Sequence, residues 1–152
     1  MRITLSAITS RKKPRLLDDA LAEYTSRLAH CAAPLRCSIE QQQFLNEPAL
    51  AASLQKSGRA PAKLILLDAV GRTMSSEQFA AWIGRERDTG TQHLHFAIGP
   101  ADGWSVEMRQ RADLVLSFGP MTFPHELARV MLAEQLYRAF TILAGHPYHG
   151  GH

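Results

Sequence analysis

The chain has 152 residues, 45% apolar and 20% charged, with 17 Lys+Arg against 14 Asp+Glu and a net charge of +3. That length and composition suit a single globular domain over residues 1–152 and exclude wholesale disorder. No run approaches the ~18–20 apolar residues of a membrane helix, the N-terminus turns basic only after its apolar stretch, the reverse of a secretory signal, and two cysteines, Cys31 and Cys37, are too few for a disulfide framework, so a cytoplasmic protein is expected.

Apolar strand patterns and helical patterns alternate along the chain. Ile3 to Ala7 alternates as a strand, the basic loop Arg11-Lys12-Lys13-Pro14 follows, and Leu16, Leu17, Ala20, Leu21, Tyr24 and Leu28 repeat at helical spacing. Leu35, Cys37 and Ile39 alternate with polar residues as a second strand. Asn46 is placed to cap a helix through Leu50 and Leu54 that ends near Gly58. Lys63 to Asp68 is a continuous apolar strand of the kind buried on both faces, and Ser75 or Ser76 starts a helix through Phe79, Trp82 and Ile83. His93 to Ile98 is a strand, Ser105 starts a short helix, Leu114 to Phe118 is the last strand, and a long helix runs from about Pro124 to Leu143. Five β-α repeats predict an α/β fold, a parallel sheet with helices on both faces. Ligands of such sheets bind beyond the carboxyl ends of the strands, which directs attention to the loops after Leu67, Ile98 and Phe118.

Two nucleotide signatures are missing: no G-x-G-x-x-G follows the first strand and no G-x-x-x-x-G-K-[ST] occurs. His125-Glu126-Leu127-Ala128-Arg129 begins like a zinc-protease helix but carries Arg129 where the second histidine belongs, so no metal site is expected. The loops Ile98-Gly99-Pro100-Ala101-Asp102-Gly103 and Phe118 to His125 carry glycine and proline where backbone approaches a ligand, and they read equally as ordinary βα connections. The last helix has apolar residues on more than one face (Val130, Met131, Leu136, Phe140, Leu143), as a helix shared between a core and a second subunit would. Glu134 and Arg138 stand i, i+4 and can pair. Charge is uneven: residues 1–60 carry 9 basic and 5 acidic side chains, and 13 of the 17 basic residues in the chain are arginine, which makes RNA a reasonable partner.

The run Met121-Thr122-Phe123-Pro124-His125, continuing through Arg129-Val130 and Glu134 to Phe140 and ending in Pro147-Tyr148-His149, resembles the C-terminal signature of the RlmH family. Leu67-Asp68-Ala69-Val70-Gly71 with Ser75-Ser76-Glu77 resembles its central segment, so the likeness covers essentially the whole chain. These are SPOUT-class methyltransferases acting on N3 of a pseudouridine in large-subunit (23S) ribosomal RNA. The resemblance implies a C-terminal trefoil knot, which general rules of chain connection disfavour, S-adenosylmethionine (AdoMet) as cofactor, and a homodimer acting on ribosomal RNA, with the assembled ribosome as the expected setting. Carried over by position, AdoMet contacts fall on Leu67, Gly99, Phe118, Gly119, Pro120, Met121, Thr122 and Phe123. The family usually has a second glycine where Pro100 stands, which implies one main-chain donor fewer. A pseudouridine imide must lose its N3 proton before it attacks, so a base or an anion stabiliser is required. The catalytic candidates are His149 as base, Tyr148 as its positioner and Arg138 as anion or RNA contact, in a tail expected to fold over the cofactor. His125 is the other candidate base or, more plainly, a helix cap. The basic residues Arg11, Lys12, Lys13 and Arg15 are expected to touch RNA phosphate. A tRNA substrate, or a non-catalytic RNA-binding dimer with Pro100 as the lesion, are the competing readings.

Overall fold

The computed structural model describes residues 1–10, 16–55 and 60–150, apart from the side chain of His149. The basic loop from Arg11 to Arg15 and the helix end expected at Gly58 lie outside the described residues. In chain order the elements are β1 (Arg2–Ile8), α1 (Asp18–Ala32), β2 (Ser38–Phe44), α2 (Glu47–Leu54), β3 (Lys63–Thr73), α3 (Ser76–Asp88), β4 (His93–Ile98), α4 (Val106–Arg111), β5 (Leu114–Ser117) and α5 (His125–Leu143). The strands form one parallel sheet in the order β2-β1-β4-β3-β5.

The helix starts follow local chemistry. Asn46 accepts from the Ala49 N–H at 2.9 Å and Ser105 from that of Met108 at 3.2 Å. Ser75 and Gln78 form a reciprocal capping box. Because side chains alternate across each strand, the sheet divides its residues between two cores. Ile3, Leu5, Phe96 and Ile65 pack with Leu28 of α1, Ile83 of α3 and Leu136 and Phe140 of α5. On the other face Ile8, Leu64, Leu66 and Ala97 meet Leu50 of α2, Met108 of α4 and Trp104. Three long helices thus cover one face and two short ones the other, the two-sided arrangement that the alternation predicts. Among the described residues no helix is long and apolar enough to cross a membrane.

Two boundaries differ from the sequence pattern. The strand expected at Leu35–Ile39 begins only at Ser38, because Ala33–Leu35 forms a 3-10 turn with Pro34 in its first positions and Arg36 takes a left-handed conformation. The strand then runs through Gln41, Gln42 and Gln43, whose polarity hides it in the sequence but suits an edge position. β3 also runs past Asp68: after an irregularity between Leu67 and Arg72 it pairs again with β5 at Arg72 and Thr73. Gly71 permits this, since a Cβ there would lie 2.6 Å from the Val115 carbonyl oxygen.

The face under α2 and α4 also buries polar groups. His95 lies 2.8 Å from Ser6 Oγ, and Ser6 donates to the Phe96 carbonyl, so His95 Nε2 must carry the proton. Burial, reinforced by the charges of His93 and Arg2, holds the His95 pKa down at about 3, below its usual value of 6.5. The unfolded chain therefore binds a proton that the fold refuses in that interval. Stability is full above about pH 6.5 and falls as pH drops toward 3, by at most ~1.4 kcal/mol per unit from this group. Urea midpoints between about pH 7 and about pH 4 should show the fall, and His95→Gln should flatten it.

Candidate active site

The carboxyl ends of β3, β4 and β5 enclose a cleft of about 450 Å³. Its walls are the part of β3 where its pairing with β4 ends (Leu67, Asp68, Ala69), the β4–α4 loop from Ile98 to Trp104, and the β5–α5 loop with the first turn of α5. All three loops singled out in the sequence converge on it. Of the expected cofactor contacts, Leu67, Gly99, Phe118, Gly119, Met121, Thr122 and Phe123 line the cleft, whereas Pro120 is exposed and does not.

Sequence reasoning missed Trp104, which organises one wall. Its indole is 5% exposed and donates from Nε1 to the Leu67 carbonyl at 3.0 Å. A Cβ at residue 99 would lie 2.8 Å from Trp104 Cε2, so Gly99 is required by the indole's close approach. A tryptophan placed directly between Gly103 and the capping Ser105 was the available signal. Pro100, Ala101, Asp102 and Gly103 close a turn in which the Gly103 N–H donates to the Pro100 carbonyl at 3.0 Å, with φ of +87° at Gly103. Pro100 serves here through its carbonyl, so its missing N–H does not break the turn.

Polar struts fix the rest of the rim. Asp68 accepts from Arg109 Nε at 2.9 Å and Nη2 at 2.8 Å through one oxygen, and from the Val70 N–H at 3.2 Å through the other. Ser105 donates its hydroxyl, and its N–H at 2.9 Å, to the Glu47 carboxylate, which links the α4 cap to α2. Ser117, 4% exposed, accepts from the Gly119 N–H and contacts the Ala69 carbonyl, both at 3.0 Å, so that it anchors the β5–α5 loop to β3.

Two of the expected catalytic residues, Arg138 and Tyr148, do not line this cleft in a single chain. Arg138 pairs with Glu134 at 2.8 Å, and its guanidinium carbon lies 5.0 Å from the centre of the Tyr148 ring. The Tyr148 hydroxyl donates to Glu134 at 3.3 Å, and its ring packs 4.6 Å from that of Tyr137. The tail therefore folds back on α5 and not over the cleft. Counted along the helix at 1.5 Å per residue, Arg138 is about 20 Å from His125. Burial opposes the charge of Arg138, but the hydrogen bond and attraction from Glu134 outweigh it and hold the pKa above the usual value. Burial and then the Glu134 charge also raise the Tyr148 pKa, so it stays a phenol at neutral pH. His149 lies in the 3-10 turn Pro147–Gly150, its side chain outside the described residues. His125 does line the cleft; the N-cap of α5 is Pro124, so His125 is the first helical residue rather than the cap.

Gly99→Ala is expected to expel the indole from its seat. We expect about 1–3 kcal/mol of destabilisation by the usual cost of overpacking and a red shift of tryptophan emission, both measurable by fluorescence-monitored unfolding.

Comparison with known proteins agrees with this architecture. Residues 1–149 match the model of the predicted SPOUT methyltransferase family. The chain is 46% identical over 142 residues to the ribosomal RNA large subunit methyltransferase H of Koribacter versatilis (strain Ellin345), which covers 93% of this chain and 94% of that one. It is 52% identical over 110 residues to the protein of the same name from Brucella abortus (strain S19), covering 72% of this chain and 65% of that one. A solved SpoU methyltransferase, AviRb from Streptomyces viridochromogenes in complex with AdoMet, is similar at a TM-score of 0.47 and 12% identity, over 96% of this chain and 58% of that one. A near full-length family match, and 46% identity over nearly the whole of a methyltransferase, meet on a parallel sheet with one cleft at its carboxyl edge: the chain belongs to the SPOUT methyltransferase family.

Proposed function

We propose that this chain is a cytoplasmic homodimer that transfers the methyl group of AdoMet to N3 of a pseudouridine in large-subunit (23S) ribosomal RNA, with the assembled ribosome as substrate. The observation that carries the reading is the cleft at the ends of β3, β4 and β5, in a chain whose relatives are named as methyltransferases of large-subunit ribosomal RNA. The chain is read as one domain with its C-terminal segment knotted.

The cleft fits the cofactor. Its volume falls within the ~300–1,000 Å³ usual for small-molecule sites, and apolar walls with main-chain donors suit an adenosine. Leu67, Gly99 and the Phe118–Phe123 loop would hold it, with the Leu67 carbonyl still offering its second lone pair beside the Trp104 indole. AdoMet supplies, when bound, an electrophilic methyl carbon on a sulfonium centre. The residues of the chain must align the imide nitrogen with that carbon and remove its proton. His149 is assigned as base. Tyr148, which keeps its own proton, positions it, and Arg138 contacts the imide anion or RNA phosphate. The separation of the tail from its own cleft is met by a two-fold dimer that packs α5 against α5 in opposite directions, through the incompletely buried Leu127, Val130 and Met131. Each tail then reaches the cleft of the other protomer. A second assignment of the base rests on one observation, that His125 lines the cleft.

Mass spectrometry of large-subunit RNA from a strain lacking this protein should show one pseudouridine without its methyl group, restored by the wild-type chain. His149→Ala should lower the rate about 100-fold or more with little change in melting temperature; a full rate in that variant, with loss in His125→Ala, moves the base to His125.

The dimer reading makes a separate prediction. Phe140 is fully buried in the core of its own chain, so Phe140→Asp should unfold the protein. Met131→Asp should instead give a folded monomer, seen by sedimentation and circular dichroism.

A further inference from the structure

At the other end of the sheet, the amino-terminal ends of β1, β2 and β4 surround a wide hollow of about 650 Å³. Arg2, Arg36, Ser38 and His93 line it, and among the described residues no carboxylate does. Neither arginine has an ion pair among the described residues.

Both arginines are held in place. Arg2 donates from Nη2 to His93 Nδ1 at 3.0 Å. A guanidinium can only donate, so Nδ1 accepts and the His93 proton sits on Nε2, 2.9 Å from Thr4 Oγ1. His93, 8% exposed, thereby orients Arg2. Arg2 Nε is shielded from water and has no hydrogen-bond partner among the described residues. Arg36 is the one non-glycine residue among those described with a left-handed backbone, at φ of 57°, in a position where glycine is the residue without strain. Its carbonyl accepts from the Met1 nitrogen at 2.9 Å and its N–H donates to the Ala33 carbonyl at 3.0 Å. The turn is pinned from both sides and its guanidinium is presented at the exposed rim.

We propose that this hollow is a phosphate-binding site whose ligand is a backbone phosphodiester of RNA. Two arginines without counter-charge among the described residues, one of them oriented by His93, suit an oxyanion, and an open hollow admits a phosphate that is part of a chain. The identity of the ligand rests on the ribosomal RNA reading above; the anion site does not. The site lies at the opposite edge of the sheet from the cleft, so it would hold RNA away from the reacting nucleotide, fixing orientation without reading sequence.

The test is a titration of the isotope-labelled full chain with inorganic phosphate, followed by magnetic resonance of backbone amides and arginine Nε–H groups. Phosphate should shift Arg2, Arg36 and Ser38 and leave Gly99 to Trp104 unmoved. Arg36→Gly should weaken phosphate binding about tenfold or more, with an equal or higher melting temperature because glycine accepts that φ. A short RNA oligonucleotide that displaces the phosphate supports the phosphodiester; phosphate that stays bound beside RNA overturns the RNA assignment. Absence of shifts at Arg2 and Arg36 at tens of millimolar phosphate, or undiminished affinity in Arg36→Gly, overturns the site itself. Titrating AdoMet into the same sample reports separately on the cleft, so that failure of the methyltransferase reading appears at Gly99 to Trp104 and not at the arginines.

Discussion

The indole of Trp104 lies against the bare Cα of Gly99 and donates to the Leu67 carbonyl, and through those two contacts one side chain joins the ends of β3 and β4 to the start of α4. A strand-end carbonyl at the edge of a cleft would otherwise face a ligand or water alone. Here it is directed by a buried donor, which sets the shape of the wall for as long as α4 stays docked. The constraint propagates outward. Arg109 on α4 holds Asp68 at the end of β3, and Glu47 on α2 holds the Ser105 cap. The shape of the cleft is therefore a property of four elements, none of which could set it alone.

α5 answers a different demand. Leu132, Leu136, Ala139 and Phe140 face inward to α1 and α3, while Leu127, Val130 and Met131 are incompletely covered. Between these faces Glu134 gathers Arg138, Gln135 and Tyr148 on one carboxylate, and Gln135 accepts in turn from Ser76 of α3. That network fixes the direction in which the chain leaves the helix. Glu134, Gln135 and Arg138 thus each have a partner within the chain.

The alternation of apolar runs with capped helices made the sheet, its parallel sense and the position of the cleft legible before any coordinates. Asn46, Ser75 and Ser105 cap helices because their side chains satisfy orphan amides next to them in sequence, and such local chemistry reads directly. What did not read were features that depend on residues distant in sequence. β2 carries glutamines because it lies at a sheet edge, and the second half of β3 exists only because β5 passes against Gly71. The part played by Trp104 depends on a carbonyl 37 positions away. The tail looked like a lid because Tyr148 and His149 sit in a glycine-rich end, yet the nearest carboxylate for the tyrosine is on the helix that precedes it. Seven of the eight residues expected by resemblance to touch the cofactor do line the cleft, since they lie on the loops that the fold brings together.

The sheet is covered unequally, by helices of 15, 13 and 19 residues on one face and of 8 and 6 on the other. Cooperative opening follows buried contact, and the small face has less of it. The Glu47–Ser105 clamp makes α2 and α4 leave together as one unit. The amides that exchange soonest with solvent deuterium, beyond the loops, therefore belong to these two helices, and the slowest belong to β1, β4 and the inner half of α5. One wall of the cleft thus breathes while the incompletely covered face of α5 stays rigid, which allows a ligand to enter and leave without any loosening of the helix on which the tail is mounted.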